Sequence, residues 1–406
     1  MIPPEQAWQR IEEHLQPLEG ELVERRRAVD RVLTEPLSAT VDVPAHDVSA
    51  MDGFAVAKVT PPGERLRVQG TVAAGNPPGA TLEPGAAWRI MTGAPVPRGA
   101  DRVIPVEQTK VIDTRLQVQT DVDEGAHIRR HGEVLRRGMQ LLTAGTPLTP
   151  GAMSLLATHG HEQVTVHRQP RVATLATGNE VVPPEIEPRS GELRDSHTDF
   201  LLAAARSLGL EFDSLGIAPD RPEAIRDRVA KGLESDVLLI SGGVSKGEFD
   251  YVEEVLGELE CSVLFDAVAM QPGKPLVVAR HPGGLVFGLP GNPASVMVGF
   301  WLFVRPTLRR LQGLQDGFWH GALSATLDAQ LPGAKGRDRF LSAEVRFEAG
   351  RALVTPRLAK GSHDLSAFAR GSALVRIPAH SEPTEPGETC HILPFANWAS
   401  YRSTTS

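Results

Sequence analysis

Residues 237–251 begin with the apolar run Val237-Leu238-Leu239-Ile240 and continue as Ser241-Gly242-Gly243-Val244-Ser245-Lys246-Gly247-Glu248-Phe249-Asp250-Tyr251. The apolar run predicts a buried strand, and a helical pattern follows the glycines. Because glycine has no Cβ, backbone N–H groups can close around phosphate oxygens, and the start of the next helix adds a positive dipole. Glu248 and Asp250 stand where a divalent cation could bridge a carboxylate and a phosphate. The segment therefore predicts an anion-binding loop, although a glycine cluster after a strand is often only a turn.

The order strand, loop, helix is repeated between residues 171 and 313. Strands are predicted at 172–176, 212–217, 237–240 and 285–287, and helices at 196–208, 221–233, 251–259 and 294–311. Asn292 is predicted as the N-cap of the last helix, with Pro293 as its first residue. Alternation at this spacing is typical of an α/β domain with a parallel sheet.

The regions on either side of residues 171–313 have different patterns of apolar and turn-forming residues. An amphipathic pattern predicts a helix over residues 6–15, a shorter apolar periodicity predicts a second helix near residue 30, and Thr149 is the predicted N-cap of a third that ends at Gly160. Residues 1–40 and 137–170 thus predict a helical framework, in which the third helix packs on the second. Short β-like runs cut by Pro-Gly turns predict an inserted β-rich domain over 41–136, and residues 314–406 predict a small C-terminal β-barrel or sandwich.

Composition excludes several classes of protein. The chain has 406 residues, of which 41% are hydrophobic and 23% charged, as is ordinary for a globular protein of several domains. The net charge of −8 argues against nonspecific binding to nucleic acid or a membrane surface. No apolar stretch or leader pattern points to a membrane or to secretion, so a cytoplasmic location is expected. Cys261 and Cys390 are too few for a disulfide framework or a cysteine zinc site.

Three loops are predicted at the carboxyl ends of parallel strands, at residues 177–180, 241–250 and 288–293. In an open α/β sheet this edge binds ligands, so the loops are expected to meet at one pocket. A fourth segment, Gln271-Pro272-Gly273-Lys274-Pro275, holds a lysine between two prolines. Lys274 is a candidate phosphate or oxyanion contact, and the alternative is a solvated lysine in a proline turn.

Acidic residues occur in the same segments, namely Glu180, Asp195, Asp220, Glu248 and Asp250. Carboxylates repel a phosphate unless a cation lies between them, so these positions predict a Mg²⁺ site. The alternative for Asp195 and Asp220 is that each caps the helix that follows it.

The chain resembles the molybdopterin molybdenumtransferase family, typified by bacterial MoeA and the E-domain of gephyrin. Seven motifs carry the resemblance in order and cover nearly the whole chain: Ser49-Ala50-Met51-Asp52-Gly53-Phe54-Ala55, Met91-Thr92-Gly93-Ala94-Pro95-Val96-Pro97 with Gly99-Ala100-Asp101, Arg129-Arg130-His131-Gly132-Glu133, Thr177-Gly178-Asn179-Glu180, Ser241 to Ser245, Pro272 to Pro275, and Gly288-Leu289-Pro290-Gly291-Asn292-Pro293. The resemblance implies a three-layer α/β domain similar to molybdopterin adenylyltransferases, an inserted β-rich domain, a helical framework and a C-terminal β-barrel. It also implies a reaction in which adenylylated molybdopterin and molybdate give molybdenum cofactor and AMP with Mg²⁺ present.

The resemblance also implies roles for individual residues. The active-site polar residues would be Asp52, Thr92, Glu180, Asp220 and Asp250, of which Glu180 and Asp250 would organise Mg²⁺. The phosphates of nucleotide and pterin would be held by Ser241, Gly242, Gly243, Ser245, Lys274, Pro290 and Asn292. Molybdate would contact Lys274, Ser295, Arg337 and Ser362, with Arg339 as the alternative to Arg337 and Ser366 as the alternative to Ser362. Without the resemblance, Asp52 is predicted as a turn carboxylate and Thr92 as a turn cap.

The family's active site draws on two subunits, so the resemblance implies a homodimer, and a molybdopterin adenylyltransferase is a possible further partner. The chain departs from the family pattern at three positions. Val134 stands where many relatives have aspartate, Asn179 replaces an aspartate beside Glu180, and Gln271 stands where some members have lysine. The first two departures remove a carboxylate each, although Glu133 is the alternative source of the one missing at Val134, and the third reduces the positive charge available to a dianion.

Two other functions remain open on sequence grounds. The α/β domain alone would suit a molybdopterin adenylyltransferase, but that smaller family lacks the β-insertion and the C-terminal domain. A gephyrin-like scaffold would use the fold for self-association, but the polar loops are intact, which favours catalysis.

Overall fold

The computed structural model describes residues 1–57, 63–120, 122–244 and 251–395. The chain divides into two compact units, one formed by residues 1–21 and 166–406 and the other by residues 22–165. The chain passes between the units through a ribbon of the strands Gly20–Glu24 and Gln163–His167. The finer division at residues 41, 136, 171 and 313 stays a prediction.

The first unit contains a six-stranded sheet in the order Phe212–Ala218, Val172–Thr177, Val237–Ser241, Gly284–Leu289, Val277–His281 and Ser262–Phe265. The first four strands run parallel to one another, as predicted. Val277–His281 pairs antiparallel with Gly284–Leu289, and Ser262–Phe265 pairs antiparallel with Val277–His281. These last two strands were not predicted. The helices of this region are His197–Ser207, Pro222–Gly232, Val252–Glu258, Pro293–Gly299 and Arg305–Leu311. The helix predicted over 294–311 is present over residues 293–311, and a π-helical turn at Phe300–Val304 lies within it.

Both faces of this sheet are buried. Val237 and Leu239 belong to one hydrophobic cluster, together with Leu201 and Phe303 of the helices on that side. Leu238 and Ile240 belong to a second cluster, formed with the helices Pro222–Gly232 and Val252–Glu258. A strand with helices on both sides needs apolar residues at every position, which explains the uninterrupted apolar run. The α/β domain therefore has three layers.

Five strands of the first unit form a closed barrel in the order Asp338–Glu348, Arg351–Arg357, Leu323–Leu327, Thr389–Pro394 and Ala373–Ile377, and the last pairs again with the first. This confirms the barrel and excludes the sandwich. The short strand Met270–Gln271 runs parallel to the start of Asp338–Glu348, with Gln271 opposite Arg339. The remaining elements of this unit are the helices Pro4–Glu12 and Leu365–Ala369 and the paired strands Val181–Val182 and Leu193–Arg194.

The second unit contains a six-stranded sheet in the order Arg102–Pro105, Gly53–Val56, Ala86–Ile90, Arg65–Val72, Arg115–Val118 and Thr109–Ile112. Two strand pairs accompany it, Leu37–Ser38 with Gln140–Leu142 and Val48–Ser49 with Ile128–Arg129, as does a 3₁₀ turn at Val106–Gln108. The helix Pro150–Thr158 starts as predicted, since the Thr149 hydroxyl accepts from the Ala152 N–H at 3.2 Å.

The helix predicted near residue 30 is wrong. A single 3₁₀ turn spans Arg25–Arg27, and Asp30 has a φ of +64°, which no right-handed helix accommodates. Val32 then forms an isolated bridge with Pro147. Val32 and Leu33 are both buried in an irregular segment, whereas Val29 is exposed, so the predicted packing of two helices does not occur.

Candidate active site

The glycine loop after Val237–Ser241 has the backbone that glycine permits. Gly242 and Gly243 have φ values of +95° and +65°, in the left-handed region. A Cβ on Gly242 would lie 2.6 Å from the carbonyl oxygen of Thr177, so the loop passes directly over the neighbouring strand. The Gly242 N–H donates to the Leu289 carbonyl at 3.0 Å, so this N–H is used within the sheet. Ser245, Glu248 and Asp250 lie outside the described residues.

The three predicted loops line one cavity of about 500 Å³ at the carboxyl edge of the sheet, which we call the nucleotide cavity. Its wall includes these predicted site residues: Glu180, Asp220, Ser241, Gly242, Gly243, Pro290 and Asn292. The prediction that the loops converge is confirmed, while the chemical roles of these residues remain predictions.

Two hydroxyl groups in the nucleotide cavity are buried without a partner. Thr177 and Ser241 line it with 4% and 2% of their surface exposed, and neither hydroxyl oxygen has a hydrogen-bond partner within the described ranges. A buried polar group without a partner costs about 1–3 kcal/mol. Ligand oxygens in this cavity would satisfy both hydroxyls.

The two carboxylates with alternative roles behave differently. Asp195 accepts from the N–H groups of His197 and Thr198 at 3.0 and 3.1 Å, so it caps the helix His197–Ser207. Asp220 does not cap the next helix. It accepts from the Asn179 N–H at 3.0 Å, and the Asn179 side chain accepts from the Asp220 N–H at 3.1 Å. Asn179 therefore joins the 177–180 loop to the segment that follows the strand Phe212–Ala218.

Glu180 is the exposed carboxylate of the nucleotide cavity. A Cβ on Gly178 would lie 2.9 Å from a Glu180 carboxylate oxygen, so the glycine leaves room for this side chain. In the described part of the chain, no group of three or more His, Cys, Asp or Glu side chains could hold a metal ion. Mg²⁺ commonly uses one or two carboxylates together with substrate phosphates, so Glu180 fits an ion that binds with its substrate.

A second cavity of about 270 Å³, which we call the anion cavity, lies where the Gln271–Pro275 segment meets the barrel. All four predicted molybdate contacts, Lys274, Ser295, Arg337 and Ser362, line it. Arg339 and Arg357 line it as well, and no Asp or Glu does so among the described residues. Arg357 is ion-paired with Glu344, so Lys274, Arg337 and Arg339 are the cations that make this site positive in a chain of net charge −8.

The geometry bears on the two alternatives that the sequence left open. Arg337 and Arg339 both line the anion cavity, and Arg339 also donates to the Gly333 carbonyl at 3.1 Å. Ser366 is absent from the wall, and its hydroxyl donates to Asp364 at 2.6 Å. Ser362 is therefore better placed than Ser366.

Sequence reasoning missed several side chains of these walls. Ser342 lines the anion cavity, is 1% exposed, and its hydroxyl has no partner in the described ranges. The buried Nε atoms of Arg339 and Arg357 are likewise unpaired within those ranges. His197 and His363 line the nucleotide cavity, and burial lowers the pKa of His197 although the Asp195 carboxylate opposes this. Apart from Arg339, which the sequence named as the alternative to Arg337, none of these residues stands in a motif that would mark it in the sequence.

The two cavities are neighbours, because Pro275 and Asn292 line both. Asn292 precedes the helix Pro293–Gly299 as predicted, but its side chain makes no capping hydrogen bond. Ser295, one turn into the same helix, is 3% exposed.

Asp52 and Thr92 lie in the unit of residues 22–165, whereas the other predicted site residues lie in the first unit or outside the described ranges. Asp52 accepts from the N–H and the hydroxyl of Thr92, both at 2.7 Å, and the N–H contact is the main cause of a lowered pKa of Asp52. A Cβ on Gly53 would lie 2.1 Å from the Ile104 carbonyl oxygen, so strand pairing requires this glycine. Glu133, the carboxylate beside Val134, accepts from the Arg130 N–H at 2.7 Å and closes a turn.

Comparison with known proteins agrees with this geometry. Family models match in order along the chain: the MoeA N-terminal region (domain I and II) over residues 2–160, a probable molybdopterin binding domain over 173–310, and the MoeA C-terminal region (domain IV) over 324–395. The chain is 35% identical to the molybdopterin molybdenumtransferase of Nostoc sp. (strain PCC 7120), covering 92% of this chain and 88% of that protein. It is 32% identical to that of Staphylococcus aureus (strain Mu50), covering 97% and 95%.

Two crystal structures of the molybdopterin biosynthesis MoeA protein from Pyrococcus horikoshii are similar, with TM-scores of 0.81 and 0.82 at 32% and 28% identity. They cover 98% and 97% of this chain and the whole of theirs. The order of the domains, the three-layer sheet and the closed barrel agree with these matches, and the chain belongs to the MoeA family of molybdopterin molybdenumtransferases.

Proposed function

We propose that this protein inserts molybdenum from molybdate into adenylylated molybdopterin and releases AMP, in the final step of molybdenum cofactor biosynthesis. The observation that carries the proposal is the pair of neighbouring cavities, one formed by glycine loops with Glu180 at its wall and the other lined by four cations. A reaction between a nucleotide ester and an oxyanion needs two such sites side by side. The N- and C-terminal matches disfavour a molybdopterin adenylyltransferase, and no feature of the described residues favours a scaffold over an enzyme.

The anion cavity suits a tetrahedral dianion. Molybdate loses its hydration shell on binding, so several charged or polar donors must replace it. Lys274, Arg337 and Ser362 supply two cations and a hydroxyl from three separate segments. Ser342 and Arg339 add donors, and the charge of Arg339 offsets the lysine that Gln271 replaces.

The nucleotide cavity suits the phosphoanhydride of the adenylylated pterin. Ser241 and Thr177 offer buried hydroxyls to its oxygens, and Pro290 and Asn292 form the facing wall. No group is transferred to the protein in this reaction, so positioning and charge stabilisation are what these residues contribute.

Glu180 is the described residue that would hold Mg²⁺, together with Asp250 outside the described ranges. When bound, the ion would neutralise phosphate charge and polarise the bond to the leaving AMP. The chain's own part is to place Glu180 beside the glycine loop, which Gly178 makes possible. The Asn179–Asp220 pair then holds this loop against the segment that follows the strand Phe212–Ala218.

We also propose a homodimer in which the β-insertion of one chain reaches the α/β domain of its partner. The family resemblance supports this, and it would give the Asp52–Thr92 pair a role beside residues of another subunit. A molybdopterin adenylyltransferase is proposed as the enzyme that supplies the substrate, because its product is the adenylylated pterin.

The function is tested by incubating the full chain with adenylylated molybdopterin, molybdate and Mg²⁺ and measuring released AMP. We expect AMP release that depends on molybdate, a loss of about 100-fold or more in Glu180→Gln, and about a tenfold rise in the half-saturating molybdate concentration in Lys274→Ala. Glu185→Gln and Lys231→Ala change exposed residues of the same types outside both cavities and serve as controls. AMP release that does not depend on molybdate would refute the proposed reaction. Normal turnover by Glu180→Gln would refute the assignment of Glu180 to Mg²⁺.

A further inference from the structure

Ser362 and His363 are adjacent in sequence but line different cavities. Ser362 lines the anion cavity, whereas His363 lines the nucleotide cavity. The Ala294 N–H donates to the Ser362 carbonyl at 3.1 Å, which ties this segment to the helix that follows Asn292. The segment is thus part of the partition between the two cavities, beside Pro275 and Asn292.

The imidazole of His363 has a defined place. A Cβ on Gly361 would lie 2.8 Å from the His363 Cε1 atom and 2.9 Å from its Nδ1, so the ring occupies space that a side chain at 361 would fill. The His363 carbonyl accepts from the Leu365 N–H at 3.0 Å, which holds the backbone of the turn. No hydrogen bond uses the ring nitrogens within the part of the chain that the structure describes, so they are available to a ligand.

His363 differs from the other residues of its cavity in origin. Every other described residue of that wall comes from residues 176–293, in the α/β domain, whereas His363 comes from the segment between two barrel strands. It shares the wall with the glycine loop at Ser241 and with Pro290 and Asn292, where the phosphates are proposed to bind. An imidazole always carries at least one N–H, and its protonated form carries a positive charge.

We propose that His363 donates a ring N–H to a phosphoryl oxygen of the nucleotide, while Ser362 contacts the oxyanion in the neighbouring anion cavity. This rests on the proposed function and deepens it. One short backbone segment then carries a contact to each of the two ligands.

The test measures the affinities of the full chain for AMP and for molybdate separately by calorimetry, in the parent, His363→Ala, His363→Gln and Ser362→Ala. We expect His363→Ala to weaken AMP binding about tenfold with the molybdate affinity in the absence of AMP unchanged. His363→Gln keeps an N–H donor and should recover most of the AMP affinity. Ser362→Ala should show the reverse pattern, with molybdate weakened and AMP unchanged. Because His363 is exposed, its variants should keep the parent's thermal midpoint.

Three results would overturn the inference. Parent-like AMP affinity in His363→Ala would remove the phosphate contact, and the proposed function would still stand. Equal weakening of AMP and molybdate binding, without recovery in His363→Gln, would mean that His363 only shapes the turn. A parent that binds neither AMP nor molybdate would remove the proposed function along with the inference.

Discussion

Gly242 is the residue at which local conformation and the nucleotide cavity depend on each other most directly. Its φ of +95° is strained for any side chain, and a Cβ there would lie 2.6 Å from the Thr177 carbonyl oxygen. The obstacle is backbone in a buried strand, so it cannot turn aside as a flexible side chain would.

For this reason Gly242→Ala should destabilise the fold by about 1–3 kcal/mol and weaken AMP binding at least about tenfold. Chemical denaturation and calorimetry measure the two effects. Gly257→Ala is the matched control, because a Cβ at this helical glycine meets nothing within 4 Å. That control should be neutral or slightly stabilising. A Gly242→Ala protein that binds AMP as the parent does would show that the loop can move aside without loss.

At the same scale, the sequence could identify Gly242 and Ser241 because their motif is contiguous. It could not identify the pairing of Asn179 with Asp220, which lie 41 residues apart. From sequence alone, Asn179 is a position at which a carboxylate charge is lost. In the structure, Asn179 forms two hydrogen bonds with Asp220 that join two loops. A side chain's partner across space is not encoded by its neighbours in the chain.

At the scale of elements, the strand that carries the glycine loop is anchored at its other end by Asp236. This carboxylate is 6% exposed and accepts from both terminal nitrogens of Arg168, at 2.7 and 2.8 Å, and from the Arg171 N–H at 2.7 Å. Burial alone would raise the pKa of Asp236, but these hydrogen bonds more than offset burial and hold the pKa below its ordinary value.

Asp236→Asn should therefore lower the free energy of unfolding by about 2–3 kcal/mol at pH 7. The folded-state pKa is depressed, so the stabilisation is complete above the unfolded pKa of about 4. It is lost as the pH falls through the folded value, and the variant should lack this part of the acid dependence. Denaturant unfolding measured from pH 7 down to pH 3 checks both effects.

The matched control for Asp236 is Glu258→Gln, which removes an exposed ion pair with Arg226 at 3.5 Å. Solvent screening should keep its cost below about 0.5 kcal/mol. Asp236→Asn and Glu258→Gln with equal small effects would contradict the anchoring role of Asp236.

Local sequence patterns predicted some secondary-structure elements correctly and others not. The strand Val237–Ser241 and the helix at Thr149 were predictable, because uninterrupted apolar residues and a capping threonine with proline are local signals. The segment near residue 30 has a similar apolar periodicity, yet the positive φ of Asp30 excludes a helix. Short periodic runs do not decide between a helix and an irregular buried segment.

At the scale of the whole molecule, the proposed dimer places Asp52 of one chain with Glu180 of the other. Asp52→Asn and Glu180→Gln should each abolish AMP release, because each removes a negative charge from every site. Mixed dimers of the two variants would contain one site with both changes and one with neither. A 1:1 mixture that exchanges subunits should recover about a quarter of the parental rate.

AMP release is measured before and after the two variants are denatured and refolded together, with each variant refolded alone as the control. Sedimentation reports whether dimers form. Mixtures that stay inactive while dimers are present would show that Asp52 and Glu180 of one chain serve the same site. An Asp52→Asn protein that is active when refolded alone would show that Asp52 serves no site.

None of the helices in the described ranges has the length and apolar character of a membrane span. The two cysteines are buried, and burial raises the pKa of both Cys261 and Cys390, the latter to about 11. Thiols of this kind are poor nucleophiles at neutral pH.

The sequence by itself determined the α/β class of the central region, the β class of the C-terminal region and the loops that carry ligand-binding motifs, because apolar runs and turn residues are local signals. Tertiary structure alone decided which of those loops share a wall. The anion cavity exists because Gln271 pairs with Arg339 and because the barrel closes between Ala373–Ile377 and Asp338–Glu348. Those pairings bring Lys274, Ser342, Arg357 and the Ser362–His363 segment together across nearly ninety residues. The register between distant strands depends on the packing of the whole core, so no local pattern could have predicted it.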